Sequence, residues 1–200
     1  MTQQRLFLTQ TLLEALIPII GYFEWGWDLS FILLFYLIDW LLAFGILIAK
    51  GRKRFSYSHN KPERMLLIKQ TVIGFMLLLI ACLGIAQSLL FLNPGFNWMQ
   101  RIVEFMTYEE MGIQQGYVLI PLIVLNGIMV YRQQFIMPAR YRTMDMRQIT
   151  QPFIHQGLIL LGFSGALLGI TAFISFPEEV LIALLIGGTS AYRWLVIRRA

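Results

Sequence analysis

Residues 29–92 read LSFILLFYLIDWLLAFGILIA (29–49), KGRKRFSYSHNKPER (50–64) and MLLIKQTVIGFMLLLIACLGIAQSLLFL (65–92). The first and third stretches are apolar and long enough to cross the hydrocarbon of a bilayer as helices. The connection between them carries six Lys or Arg residues and a single acid, Glu63. Because positive charge beside apolar helices is retained on the cytoplasmic side of a membrane, this segment predicts a helical hairpin whose turn faces the cytoplasm.

The rest of the chain continues the same pattern. Hydrophobic residues make up 58% of the 200 residues and charged residues only 14%, which excludes an ordinary soluble domain. We therefore predict an all-α integral membrane protein with one transmembrane domain over residues 1–200 and the lipid bilayer as its solvent. The six predicted spans are 6–23, 29–49, 65–92, 117–135, 152–175 and 180–197.

Charge alternates from one connection to the next. The connection after the fourth span and the C-terminus are basic, like residues 50–64, whereas the three other connections carry Glu24 and Asp28, then Glu104, Glu109 and Glu110, then Glu178 and Glu179. This asymmetry predicts that both termini lie in the cytoplasm, and we expect the inner (plasma) membrane of a bacterium. It also explains the net charge of +5 without a nucleic-acid partner.

An amphipathic segment lies on the outer side between the third and fourth spans. Residues 96–111 follow the turn-forming Asn93-Pro94-Gly95, and their apolar positions recur at helical spacing. The sequence predicts a helix lying in the membrane interface, and its acidic character leaves docking onto a protein neighbour as the alternative. The apolar residues of this stripe are Trp98, Met99, Ile102, Val103 and Met106.

Two acids fall near the middle of the first two spans, Glu14 and Asp39. A charged residue at that depth costs about 2.5–3.5 kcal/mol on insertion scales, so it usually faces the bundle interior. The two helices are joined by a short turn, which predicts that the two carboxyl groups are neighbours. Three other polar residues fall at similar depth in the last three spans, namely Asn126, Ser164 and Thr189.

Pro18 and Tyr36 add to this constellation. A proline removes the hydrogen bond to the carbonyl four residues earlier, which here belongs to Glu14. Tyr36 lies one turn from Asp39 and could donate its hydroxyl to the acids. We predict a proton- or cation-binding site formed by Glu14, Asp39, Tyr36, Asn126 and Ser164. The alternative is that the same groups are neutral and only link the helices by hydrogen bonds.

Gly162-Phe163-Ser164-Gly165 resembles the GxSG nucleophile motif of rhomboid proteases. A nucleophilic serine needs a base within hydrogen-bond reach. His155 is on the same predicted helix about 13 Å away along its axis, and His59 lies in a basic connection. We therefore predict that the chain is not an enzyme.

Small residues recur at helical spacing in the last two spans. Gly165 and Gly169 form a GxxxG pattern that Gly162 extends, and Gly187 with Ala191 forms a second small-xxx-small pair. Such surfaces favour close packing between membrane helices. One cysteine and two separated histidines provide neither a disulfide nor metal-ligand spacing, so we expect no metal and no cofactor.

Three segments carry a resemblance to a known family. Ile17-Pro18-Ile19-Ile20-Gly21, Trp25-Gly26-Trp27-Asp28 and Tyr36-Leu37-Ile38-Asp39-Trp40 resemble the first two spans of a bacterial multi-pass membrane family of unknown function. Pro152-Phe153-Ile154-His155 is similar to the penultimate helix of that family. The resemblance covers about a third of the chain. It implies that Asp39 and His155 occupy positions that the family also makes polar, and it implies no activity.

Two functions follow from these patterns. We predict a small non-enzymatic accessory or scaffold subunit that packs against another membrane protein, or against further copies of itself. The alternative is a proton- or cation-coupled transporter or channel that uses the carboxylate pair.

The predicted orientation can be tested by cysteine accessibility in a Cys82→Ser background. Cysteine at Arg52 or Arg140 should react with a membrane-impermeant maleimide only after the cells are permeabilised, because both positions lie in cytoplasmic connections. Cysteine at Glu109 should react in intact cells. Labelling of positions 52 and 140 from opposite compartments would contradict the predicted topology.

Overall fold

The structure is a computed structural model that describes residues 16–59, 61–93, 95–110, 113–173 and 177–199. It is almost entirely helical. The described part of α1 covers residues 16–24. The further elements are α2 (Leu29–Ser58), α3 (Lys61–Leu92), α4 (Trp98–Thr107), β1 (Glu109–Glu110), β2 (Ile113–Gln114), α5 (Gln115–Tyr131), a π-helical turn (Arg132–Ile136), α6 (Arg140–Thr143), α7 (Met146–Phe173) and α8 (Glu178–Arg199).

Within the described ranges, four helical segments are long and apolar enough to cross a membrane: Leu29–Ser58, Lys61–Leu92, Gly116–Ile136 and Met146–Gly169. They correspond to the second, third, fourth and fifth predicted spans. Most of the first predicted span, including Glu14, lies outside the described residues. In α8 the described apolar part, Glu179–Thr189, is shorter than the thickness of the hydrocarbon.

Local sequence accounts for the ends of these helices. Gly26 has φ +61°, a left-handed conformation that a glycine adopts without strain, and it separates α1 from α2. Asp28 then caps α2, because its carboxylate accepts the Phe31 backbone N–H at 3.0 Å. Asn97 caps α4 in the same way by accepting from the Met99 and Gln100 backbone N–H groups.

The most extensive helix contact joins α3 and α7. The two helices run parallel, since residues later in α3 meet residues later in α7. A Cβ atom on Gly74 would lie 2.6 Å from the Phe153 ring, so the absence of a side chain there lets the two backbones approach. The touching pairs are Gly74 with Phe153, Leu77 with Gly157, and Gly84 with Ser164.

Helix α2 packs against both helices of this pair. It runs antiparallel to α3, with Gly51 against Leu67 and Phe44 against Phe75. Trp40 of α2 also stacks near Phe153 of α7, with ring centroids 6.1 Å apart. Helix α5 runs parallel to α2, because Gly127 lies against Leu42 while Phe135 lies beneath Lys50. This arrangement brings the basic connections 50–64 and 132–147 to the same end of the bundle, which we call the basic end.

Arg54 ties these connections together. Its guanidinium donates to the Glu63 carboxylate at 2.9 and 3.2 Å and to the backbone carbonyls of Tyr141 and Arg142 at 3.1 Å. One cation therefore links the hairpin of α2 and α3 to α6.

The opposite end is closed by α4. Arg101 forms an ion pair with Asp28 at 3.1 Å, and the Tyr108 hydroxyl donates to the Trp25 carbonyl at 2.6 Å. Phe105 is 3% exposed and lies against Trp27 and Phe31. The helix is shorter than the predicted 96–111, because the β1–β2 hairpin begins at Glu109.

Apolar side chains cover the outside of the bundle as well as its interior. Met65 and Leu83 of α3 are 76% and 61% exposed, and Leu125 of α5 is 60% exposed. Apolar surface on this scale is costly in water, so these faces require lipid or protein around them.

The close approach of α3 and α7 predicts an asymmetry between two glycines. Gly74→Leu should lower the free energy of unfolding by about 1–3 kcal/mol, because the new side chain overlaps Phe153. Gly45→Leu is the matched control, since a Cβ there meets open space within the described chain. Thermal unfolding in detergent measures both, and equal stabilities would contradict the packing.

Candidate functional site

Asp39 lies ten residues into α2, about 15 Å from the beginning of the helix. This distance is about half the thickness of a bilayer's hydrocarbon, and the depth of Asp39 in the membrane stays a prediction. The side chain is partly buried, and Tyr36 lies one turn before it. Glu14 lies outside the described residues, so the predicted carboxylate pair remains a prediction. Pro18 is fully buried in the described part of α1.

A polar contact between α2 and α8 lies one turn from Asp39. The Thr189 hydroxyl donates to the Tyr36 hydroxyl at 3.2 Å and lies 2.9 Å from the Leu185 carbonyl. The sequence predicts Thr189 at the depth of Asp39, but its hydrogen bond with Tyr36 was not predicted. The contact is possible because α8 packs against α2 through Leu181, Ile182 and Leu185, which are all nearly fully buried.

The two other predicted site residues have separate environments. Ser164 is 2% exposed, and its hydroxyl donates to the Leu161 carbonyl at 3.0 Å while its side chain packs on Gly84. It belongs to the α3–α7 contact. Asn126 is partly buried in α5, next to Gly127, which packs on α2.

The predicted packing glycines have no close neighbours in the described chain, unlike the glycines of the α3–α7 contact. Gly162, Gly165 and Gly169 of α7 and Gly187 of α8 are exposed, and a Cβ at each would meet nothing within 4 Å in the described chain. Close packing inside the bundle uses other glycines, at positions 21, 51, 74, 84, 116, 127 and 157. The Ala191 side chain lies outside the described part of the structure.

His155 is exposed and lies nine residues before Ser164 on α7. Ser164 is buried among the packed helices, so the structure keeps the two side chains apart. Among the described residues, no group of three His, Cys, Asp or Glu side chains is arranged to hold a metal ion.

An apolar pocket of about 270 Å³ opens between α2 and α3 beside α4. Leu33 and Leu37 form one wall, Leu79 and Leu83 the other, and Trp98 lies at its outer end. Its walls suit an apolar chain and contain no charged group.

The basic end holds an arrangement that the sequence analysis missed. Lys50 Nζ lies 5.7 Å from the centre of the Phe135 ring, and Lys53 Nζ lies 5.3 Å from the centre of the Tyr141 ring. The two rings are 6.4 Å apart, and Arg142 lies over Tyr141 as well. Aromatic residues inside basic connections are the sequence signal that could have indicated these contacts.

The length and apolar composition of these helices are those of a helical membrane protein that crosses the bilayer several times. Comparison with models of known families, with curated proteins and with solved structures finds no match to it.

Proposed function

We propose that this chain is a small non-enzymatic membrane protein that packs as an accessory or scaffold subunit against a larger membrane assembly. The observation that carries the proposal is the exposed glycine face of α7, formed by Gly162, Gly165 and Gly169. These residues lie on one side of the helix and leave it without side chains where another helix could approach closely.

A glycine inside a helix has an energetic cost of about 1 kcal/mol relative to alanine in water-soluble helices. Elsewhere in the bundle that cost is offset by close contact, as at Gly74. The α7 face has no such contact within the described chain. A partner helix seated on Gly165 and Gly169 would provide it.

The outer surface of α4 supports the same proposal. Met99 is 71% exposed and Val103 is 53% exposed, although the helix is anchored to the bundle through Phe105 on its other side. The helix thus has a second apolar face beside acidic Glu104. That combination suits a protein neighbour better than an anionic lipid surface.

The proposed orientation has six membrane crossings, with both termini in the cytoplasm of a bacterium. The parallel arrangement of α3 and α7 supports it, since both helices begin beside basic connections. The same reasoning makes the end that carries α4 the outer end.

Replacing both Gly165 and Gly169 by Leu should reduce the recovered complex at least about tenfold in mild detergent, because a loss of about 1.4 kcal/mol of association free energy has that effect. Native mass spectrometry of the tagged protein measures how much of a stoichiometric partner, or of a second copy of the chain, stays bound. Gly45→Leu on α2 is the control, since it also adds bulk to an exposed glycine.

The proposal fails if the double variant retains its complex, or if the unaltered chain is monomeric in several mild detergents.

A second candidate is a proton- or cation-coupled carrier or channel centred on Asp39 and Glu14. The contact between Tyr36 and Thr189 favours it, because this contact gathers polar groups from α2 and α8 one turn from Asp39. A buried acid with hydroxyl neighbours can hold a proton or an ion at the middle of the bilayer.

For the carrier, Glu14→Gln combined with Asp39→Asn should reduce proton or cation flux in proteoliposomes to that of protein-free liposomes. Asp145→Asn makes the same chemical change at an exposed position of the basic end and should leave the flux unaltered. Normal flux through the double variant would eliminate the carrier.

A further inference from the structure

Positive charge at the basic end follows from membrane topology alone. What topology does not explain is the position of Lys50 and its neighbours. Lys50 is partly buried over the Phe135 ring, and the like charge of Arg140 acts on its ammonium group. Lys53 and Arg142 share the adjoining Tyr141 ring at 5.3 and 5.7 Å. Three cations thus lie against two neighbouring aromatic rings, and Arg140 precedes Tyr141 directly in the chain.

Among the described residues of this end, Glu63 is paired with Arg54 and not with these cations. Glu63 accepts from Arg54 and Ser58, and the charge of Asp145 also acts on Arg54. Within the described part of the chain, neither these three cations nor Arg140 forms an ion pair. Attraction to a ring offsets only part of the repulsion between like charges, so a bound anion would stabilise this arrangement.

The backbone around these residues is unusual. Residues Arg132–Ile136 form a π-helical turn, and Ala139 has φ +53°, a left-handed conformation that costs a non-glycine residue energy. π-Helical turns often occur at functional positions. This turn presents Phe135 to Lys50, and the left-handed Ala139 directly precedes Arg140.

The depth of the cluster indicates which anion it meets. Lys50 is the first charged residue after the apolar stretch 29–49, so it lies where the hydrocarbon ends and the headgroups begin. Ile128 and Met129, just before the π-helical turn, are 45% and 55% exposed and can lie against acyl chains. We propose that Lys50 and Arg140, with Lys53 and Arg142 beside them, bind the phosphate of an anionic phospholipid headgroup.

The test uses the full-length protein in neutral detergent, titrated with phosphatidylglycerol or with phosphatidylcholine of the same acyl chains. Native mass spectrometry reports the bound lipid. Lys50→Gln with Arg140→Gln should weaken phosphatidylglycerol binding about tenfold. Arg52→Gln with Lys61→Gln removes the same charge from exposed residues of this end and should change binding by less than about twofold in salt that screens diffuse attraction.

Equal losses in the two double variants, or no preference for phosphatidylglycerol, would overturn the proposal. Inorganic phosphate separates the two possible sources of the anion: equal stabilisation by phosphate alone would overturn the assignment to a lipid.

A second measurement needs no substitution. A phosphatidylglycerol analogue with a photoreactive group near its phosphate should label peptides that contain residues 50–53 or 132–142 of the unaltered protein. Labelling confined to other peptides would refute the site even if the double variant failed to fold.

Discussion

Helices α3 and α7 lie side by side and parallel, and the packing between them determines how the chain must run. Gly74, Gly84 and Gly157 let the two backbones approach, and Phe153 fills the space that Gly74 leaves. Two parallel helices cannot be joined by a short turn, so the chain between them must return to the starting end. Helix α4 turns the chain at one end, and α5 brings it back.

This route determines how charge is distributed. Because α3 and α7 begin at the same end, the connections before them are brought together, and both are basic. Arg54 joins them through Glu63 and two backbone carbonyls. That single guanidinium is paired with Glu63, whereas Lys50, Lys53 and Arg142 lie against aromatic rings. The positive charges that indicate membrane orientation in the sequence thus form a cluster on aromatic rings in the folded chain.

The distribution of glycine separates the interior of the bundle from its outer surfaces. Glycines at α3, and at Gly157 of α7, are in contact with side chains of neighbouring helices, whereas Gly162, Gly165 and Gly169 face outward. Helix α7 therefore carries glycine on two faces, and only one of them is in contact with another described helix. The inner face is occupied by α3. The outer face meets no other helix within the described chain, and it is the observation on which the proposal of a subunit rests.

Composition and hydrophobic patterning predicted the helical class, four long apolar helices of the described chain and an amphipathic helix near residue 100. These features follow from composition and local periodicity, which act within one element. The folded chain alone shows that Phe105 and Phe135 are buried anchors, that Thr189 meets Tyr36, and that Ser164 belongs to the α3–α7 contact. Each of these depends on which helices are neighbours and how they are rotated. In a chain that is apolar on every face, hydrophobic periodicity does not encode that rotation, because lipid and protein neighbours favour the same side chains.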